Sequence, residues 1–182
     1  DEAIAEYLWH GCVPAPNTWY RAIGQVPPGH WLAWTPEGSA LGAWWDARAV
    51  AAAPRHALSA DAATARLRML VGEAVERRLI SDVPLGAFLS GGLDSSIIVA
   101  EMRRLVGSVK TFTISFKGAG WYEEAPYARE VARALGAEHH ELDVTPDAHT
   151  LLPALLRHYD EPFGDSSALP TYLLSQFARR HV

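Results

Sequence analysis

Leu85-Gly86-Ala87-Phe88-Leu89-Ser90-Gly91-Gly92-Leu93-Asp94-Ser95-Ser96-Ile97-Ile98-Val99-Ala100 is the stretch on which the fold turns. It begins with a short apolar run, passes through a Ser/Gly turn and continues into Ala100-Glu101-Met102-Arg103, all good helix formers. A hairpin is the competing reading, because Gly91-Gly92 could fold Ala87–Leu89 back onto Ile97–Val99. The turn from Ser90 to Ser95 is long for a tight hairpin loop, and the residues after it favour helix. Strand, loop and helix is therefore the expected order.

That order has chemical consequences. Where a strand ends and a helix starts in a parallel sheet, backbone N–H groups and the helix dipole point outward together, toward an anion. Two successive glycines let the backbone come close to that anion without a Cβ in the way. Ser90, Ser95 and Ser96 supply hydroxyls suited to phosphate oxygens. Asp94 stands out, since a carboxylate repels phosphate. It makes sense as a helix cap accepting backbone N–H groups, as a ligand to a bridging Mg²⁺, or as both. The pattern Gly-x-x-x-x-Gly-Lys-Ser/Thr is absent and no lysine lies near the loop. The arrangement suits holding the β- and γ-phosphates as one leaving unit, in a reaction at the α-phosphorus.

Working outward, Leu67, Leu70, Val71, Ala74, Val75 and Leu79 share one helix face, with Ser59 or Asp61 able to cap its start. A strand is expected at Thr111–Phe116, a helix from Glu123 to Leu135 stopped by Gly136, and a strand at Glu138–Leu142. Thr145-Pro146-Asp147 would open a further helix. Alternating strands and helices predict an α/β fold, a parallel sheet with helices on both faces. Upstream, Glu2–His10 has weak helical periodicity. His30–Thr35 and Ser39–Trp45 around Pro36-Glu37-Gly38 read as a hairpin whose tryptophans pack a sheet face. The first 46 residues hold six of the seven tryptophans and five of the twelve prolines. The expected organisation is a β-rich unit over 1–46, a linker over 47–58 and the α/β unit over 59–182.

The formal charge is −5 and Lys and Arg are scattered, mostly as pairs such as Arg77-Arg78 and Arg103-Arg104 on solvated helix faces. No basic stripe suggests nucleic acid. No apolar stretch approaches the roughly 20 residues of a membrane span, and no leader opens the chain. The single cysteine, Cys12, forms no intrachain disulfide, which fits a cytoplasmic protein. It reads as a small buried residue. The chain starts at Asp1, inside an expected helix, as an excised piece would.

Ser90-Gly91-Gly92-Leu93-Asp94-Ser95-Ser96 after an apolar strand resembles the pyrophosphate loop (PP-loop) of the ATP pyrophosphatases, in the branch of the glutamine-dependent asparagine synthetases. Thr111–Phe116 is similar to that family's second strand, and Tyr122-Glu123-Glu124 to the start of its next helix. Glu138-His139-His140-Glu141 resembles its His-His strand, and the run from Asp160-Glu161-Pro162 to Tyr172 its Asp-Glu-Pro segment. Gly11–Thr18 and Val26–His30 look like the end of the glutaminase domain that precedes it.

The resemblance implies an adenine nucleotide alpha hydrolase-like sheet, truncated here and preceded by the small β-rich end of a glutaminase domain. It implies adenylation of aspartate or a related carboxylate by ATP, then amidation by glutamine-derived ammonia, with release of pyrophosphate and AMP. Ser90, Gly91, Gly92, Asp94, Ser95 and Ser96 would hold pyrophosphate, Asp94 also Mg²⁺, and the backbones of Leu89 and Ile114 would flank the adenine. Asp160, Glu161 and Asp165 are candidates for substrate contact or for helix capping. The N-terminal catalytic cysteine and a later Ser-Gly-x-Gly-x-Asp-Glu segment of that family are absent, so the chain alone is expected to be inactive and offers no confirmed catalytic residue. Two neighbouring histidines on a strand point to opposite faces, so His139 and His140 are expected to pack and hydrogen-bond rather than ligate one metal. Related ligases acting on other carboxylates, including β-lactam-forming ones, and a non-catalytic ATP-binding scaffold stay open. An unpaired sheet edge would favour homo-oligomers.

Overall fold

A computed structural model describes residues 2–54, 57–116, 124–145 and 148–182. Three strands, β3 (Gly86–Phe88), β4 (Lys110–Phe116) and β5 (Glu138–Val144), pair in parallel in the order β3-β4-β5. Parallel neighbours need crossover connections, and these are the helices α4 (Leu93–Val106) and α5 (Ala125–Leu135). The expected α/β class with a parallel sheet flanked by helices is what forms.

Strand β4 is central and covered on both sides. Phe112, only 1% exposed, meets Phe177 of α7 (Ala168–Ala178) edge-on at 5.9 Å between ring centroids. Period-two alternation turns Thr111, Thr113 and Ser115 to the other side, and all three are buried. Val75, Leu89, Val99, Met102, Val109, Ala128 and Ala132 make one apolar cluster that ties α3 (Ala60–Glu76), α4 and α5 together. Ser59 caps α3, its hydroxyl accepting from the Ala62 N–H at 3.2 Å. Gly136 stops α5 in the left-handed conformation, with φ of 62°. Arg103 does not lie on a solvated face. Its Nε donates to the Leu135 carbonyl at 2.9 Å and so fastens α4 to the last turn of α5.

The described structure divides into two compact units, Asp1–Ala57 with His149–Ser166, and Leu58–Ala148 with Ser167–Val182. The first holds α1 (Glu2–His10), the antiparallel hairpin of β1 (His30–Thr35) and β2 (Gly38–Ala43), the short α2 (Ala47–Ala52) and nearly all of α6 (Ala148–Tyr159). Residues expected as plain linker thus contain a helical turn and a half, because Asp46 caps it by accepting from the Arg48 N–H at 2.8 Å. The hairpin turns more tightly than expected. Gly38 already pairs with Thr35, and β2 ends at Ala43, before Trp44 and Trp45. Its tryptophans do not pack as a buried face: Trp34 is 76% and Trp44 70% exposed. Among the described residues no second layer covers this two-stranded ribbon. The expected starts of α5 at Glu123 and of α6 at Thr145-Pro146-Asp147 fall wholly or partly outside the described residues.

Candidate nucleotide-binding site

The Leu89–Ser95 segment leaves β3, turns at Gly91 and starts α4 at Leu93, with Gly92 as N-cap. A strand-to-strand reversal is thereby excluded. Gly91 has φ of 80°, and a Cβ there would stand 2.5 Å from the Ala128 amide nitrogen and 2.6 Å from Tyr127 Cβ. Of the two glycines it is Gly91 that the fold itself demands, because the loop is pressed against the first turn of α5. At Gly92 the nearest atom to an added Cβ is Ser90 Oγ, 3.2 Å away.

The serines are engaged inside the loop. Ser90 Oγ accepts from the Gly92 N–H at 3.2 Å and lies 2.9 Å from Ser95 Oγ. Ser95 Oγ accepts from the Ser90 N–H at 3.3 Å and donates to the Gly92 carbonyl at 3.2 Å. Ser96 Oγ donates to that same carbonyl at 2.7 Å. One proton per hydroxyl closes the set: Ser90 to Ser95, Ser95 to Gly92, Ser96 to Gly92. In this state the hydroxyls hold the loop's shape rather than face outward. The amides of Gly91, Leu93, Asp94 and Ser95 have no hydrogen-bond partner among the described residues. They are the free donors of the turn, at the positive end of α4.

Asp94 is not a cap. Gly92 occupies that position and no side chain closes the helix start. The Asp94 carboxylate is exposed and has no hydrogen-bond or ion-pair partner among the described residues. Of the two roles expected for it, capping is set aside. A free carboxylate beside free backbone amides has the chemistry of a Mg²⁺ ligand, since Mg²⁺ takes one or two carboxylates and completes its shell with other oxygens and water. Among the described residues no cluster of three or more His, Cys, Asp or Glu could hold a metal without such help.

Next to the loop is a cavity of about 170 Å³ lined by Phe88, Leu89, Ser90, Ser95, Thr113, Ile114, Glu124 and Leu174. It brings together Leu89, Ser90, Ser95 and Ile114, four of the residues singled out in the sequence. Phe88, Thr113, Glu124 and Leu174 line it without having been named as site residues. For Thr113 a signal existed, a hydroxyl at every second position of a strand otherwise apolar and aromatic. Asp160, Glu161 and Asp165 belong to the first unit. Asp160 is left-handed, with φ of 60°, at the end of α6, a conformation Asp tolerates better than most residues. Glu161 Oε2 accepts from the Trp19 N–H at 2.8 Å.

The two histidines of β5 separate as expected. His139 Nδ1 lies 2.8 Å from Thr111 Oγ1, whereas His140 stacks on Phe112 with centroids 5.3 Å apart. Burial pushes the His139 pKa down, against the pull of nearby Glu141. Glu141 is held below the usual carboxylate range by a paired hydrogen bond from Arg129, both contacts at 2.8 Å. Neither lines the cavity. No described helix is long and apolar enough to cross a membrane.

Residues 66–182 match the sequence profile of the family described as Asparagine synthase. Over its whole length the chain is 32% identical to asparagine synthetase [glutamine-hydrolyzing] 1 of Bacillus subtilis, covering 28% of that protein. It is 43% identical over 116 residues, 63% of the chain, to a putative asparagine synthetase [glutamine-hydrolyzing] 2 of Methanocaldococcus jannaschii, covering 22% of it. A putative asparagine synthetase of Mycobacterium bovis is 36% identical over 111 residues, 60% of the chain and 17% of that protein. The chain thus spans under a third of the length of these relatives.

Proposed function

The chain belongs to the asparagine synthase family, and on that premise we propose that it carries the nucleotide-binding part of an ATP-dependent amide ligase. In the whole protein, a carboxylate oxygen of aspartate or a related acid attacks the α-phosphorus of ATP, the bond to the β-phosphate oxygen breaks, and pyrophosphate leaves. Ammonia derived from glutamine then attacks the acyl carbon, and AMP leaves with the electrons of the broken C–O bond. This chain's share is to hold the leaving pyrophosphate on the amides of Gly91, Leu93, Asp94 and Ser95, with Asp94 binding Mg²⁺. The bound cation offsets the charge that develops on the departing phosphates. Leu89 and Ile114 flank the adenine. By itself the 182-residue chain binds nucleotide without completing amide synthesis.

One observation carries the proposal. Four amides at a helix start, without a partner among the described residues, stand beside a cavity lined by the residues assigned to the base. Calorimetric titration with Mg-ATP tests it. The wild-type chain should bind, Asp94→Ala should weaken binding about tenfold through loss of a charged ligand, and Gly92→Val should abolish it by disrupting Ser90 and blocking the approach. No binding by the wild type, or equal affinity in all three, would overturn the assignment. Release of AMP from ATP and aspartate by the chain alone would contradict the reading that it binds nucleotide without turning it over. A related carboxylate as acceptor is the alternative, and pyrophosphate release by the full-length protein across a series of acids separates the two.

A further inference from the structure

The Leu89 main chain is bonded unusually at the point where the sheet gives way to the loop. Its N–H donates to the Phe112 carbonyl at 3.0 Å, continuing the β3–β4 ladder by one step. In a regular parallel ladder its carbonyl would then accept from the Ile114 N–H. Among the described residues no main-chain N–H reaches the Leu89 carbonyl. The hydroxyl of Thr113 donates to it instead. Thr113 is 3% exposed and lies between Phe112 and Ile114 on β4. Leu89, Thr113 and Ile114 all line the 170 Å³ cavity.

We propose that Thr113 is a positioning residue that holds the sheet open at the nucleotide cavity. Its hydroxyl satisfies a buried carbonyl that would otherwise draw in the Ile114 amide, so β3 and β4 diverge a residue early. The gap is where the base is assigned, and the inference rests on that assignment. The opposite end of the loop does not depend on Thr113, because Ser90, Ser95 and Ser96 shape it through Gly92. The base side and the phosphate side are therefore held by separate hydroxyls.

The test is a set of titrations of the full chain with Mg-ATP, AMP and Mg-pyrophosphate, well below the melting temperature. Thr113→Val keeps the β-branch and nearly the volume. It should weaken AMP and ATP about tenfold, the scale of one buried hydrogen bond lost and a cleft partly closed. Pyrophosphate affinity should stay within about twofold, because the serine set is untouched. Thr113→Ser should restore nucleotide affinity to within about twofold, since it returns the donor. Unchanged AMP affinity in Thr113→Val, or an equal loss of AMP and pyrophosphate, would overturn the inference. A lowered melting temperature with unchanged affinities would show a purely structural hydroxyl and overturn it equally. If Thr113→Val does not fold, Thr113→Ala is put through the same titrations. A wild-type chain that binds pyrophosphate but neither nucleotide would instead refute the assignment of the base, a distinct result.

Discussion

The hairpin of the first unit and the central strand of the second invert what their side chains alone would suggest. Trp31 and Trp34 are 48% and 76% exposed, while Thr111 and Thr113 are 0% and 3% exposed. The difference is in layers rather than in hydrophobicity. Strand β4 has a neighbour on each edge and helices over both faces, so Thr111, Phe112, Thr113 and Ser115 are buried whatever their polarity. Its hydroxyls are tolerated because each finds a partner: Thr111 with His139, Thr113 with the Leu89 carbonyl. The hairpin has two strands, and among the described residues of that unit no opposing layer covers its exposed apolar side chains. A hydroxyl at the sheet's C-terminal rim is held in one orientation by its buried partner.

Substitutions at both places sharpen the contrast. The largest effect is expected for Phe112→Ala, which empties the central layer between His140, Phe177 and His181 and should cost about 4 kcal/mol in denaturant titration. Gly91→Val comes next, at about 3 kcal/mol, because it combines a left-handed backbone with a Cβ pressed into the start of α5. It should also abolish Mg-ATP binding, read by calorimetry. Thr111→Val removes one buried hydrogen bond while keeping the shape, and about 1 kcal/mol is expected from the same denaturant measurement. If Thr111→Val proved neutral, the partnering of buried hydroxyls would not be what permits them.

Acidification should act on the covered sheet. The folded-state pKa of His139 lies below its ordinary value of 6.5, so the unfolded chain takes up that proton first. Its contribution to stability is fully present above that pH and is lost as pH falls through the folded value. Glu141 has the same sign, with loss beginning below its ordinary 4.5. Unfolding midpoints of wild type and His139→Gln between about pH 7.5 and 5 should converge on the acid side. A constant gap between them would contradict this. The smallest effect belongs to the hairpin: Trp34→Thr should change stability by less than about 0.5 kcal/mol. A loss of several times that would mean that the indole has a covering partner after all.

Much of this was legible in the residues. The apolar run before Ser90 and the helix formers after Ser96 fixed strand, loop and helix, and alternation of such units predicted the parallel sheet. Gly136 was readable as a stop because few other residues take the left-handed form without cost. Other features depended on neighbours distant in sequence. Nothing local says that Gly91 rather than Gly92 is pressed by Tyr127 and Ala128, that Arg103 reaches Leu135, or that Asp94 leaves the cap position to Gly92. Sequence alone makes the serines candidate donors to an anion, yet in the folded loop their protons are already committed to one another and to the Gly92 carbonyl.

Local chemistry settled which segments are strands, which are helices, and where backbone could come closest to an anion. Those preferences act over a few residues, through dihedral freedom and periodicity, and need no long-range contact. Only the tertiary structure decided which donors remain free, which hydroxyls are spent, and that Leu89 bonds to Thr113 instead of Ile114. Each hydrogen-bonding group has a limited number of partners, and who takes them is known only once the strands and helices are side by side.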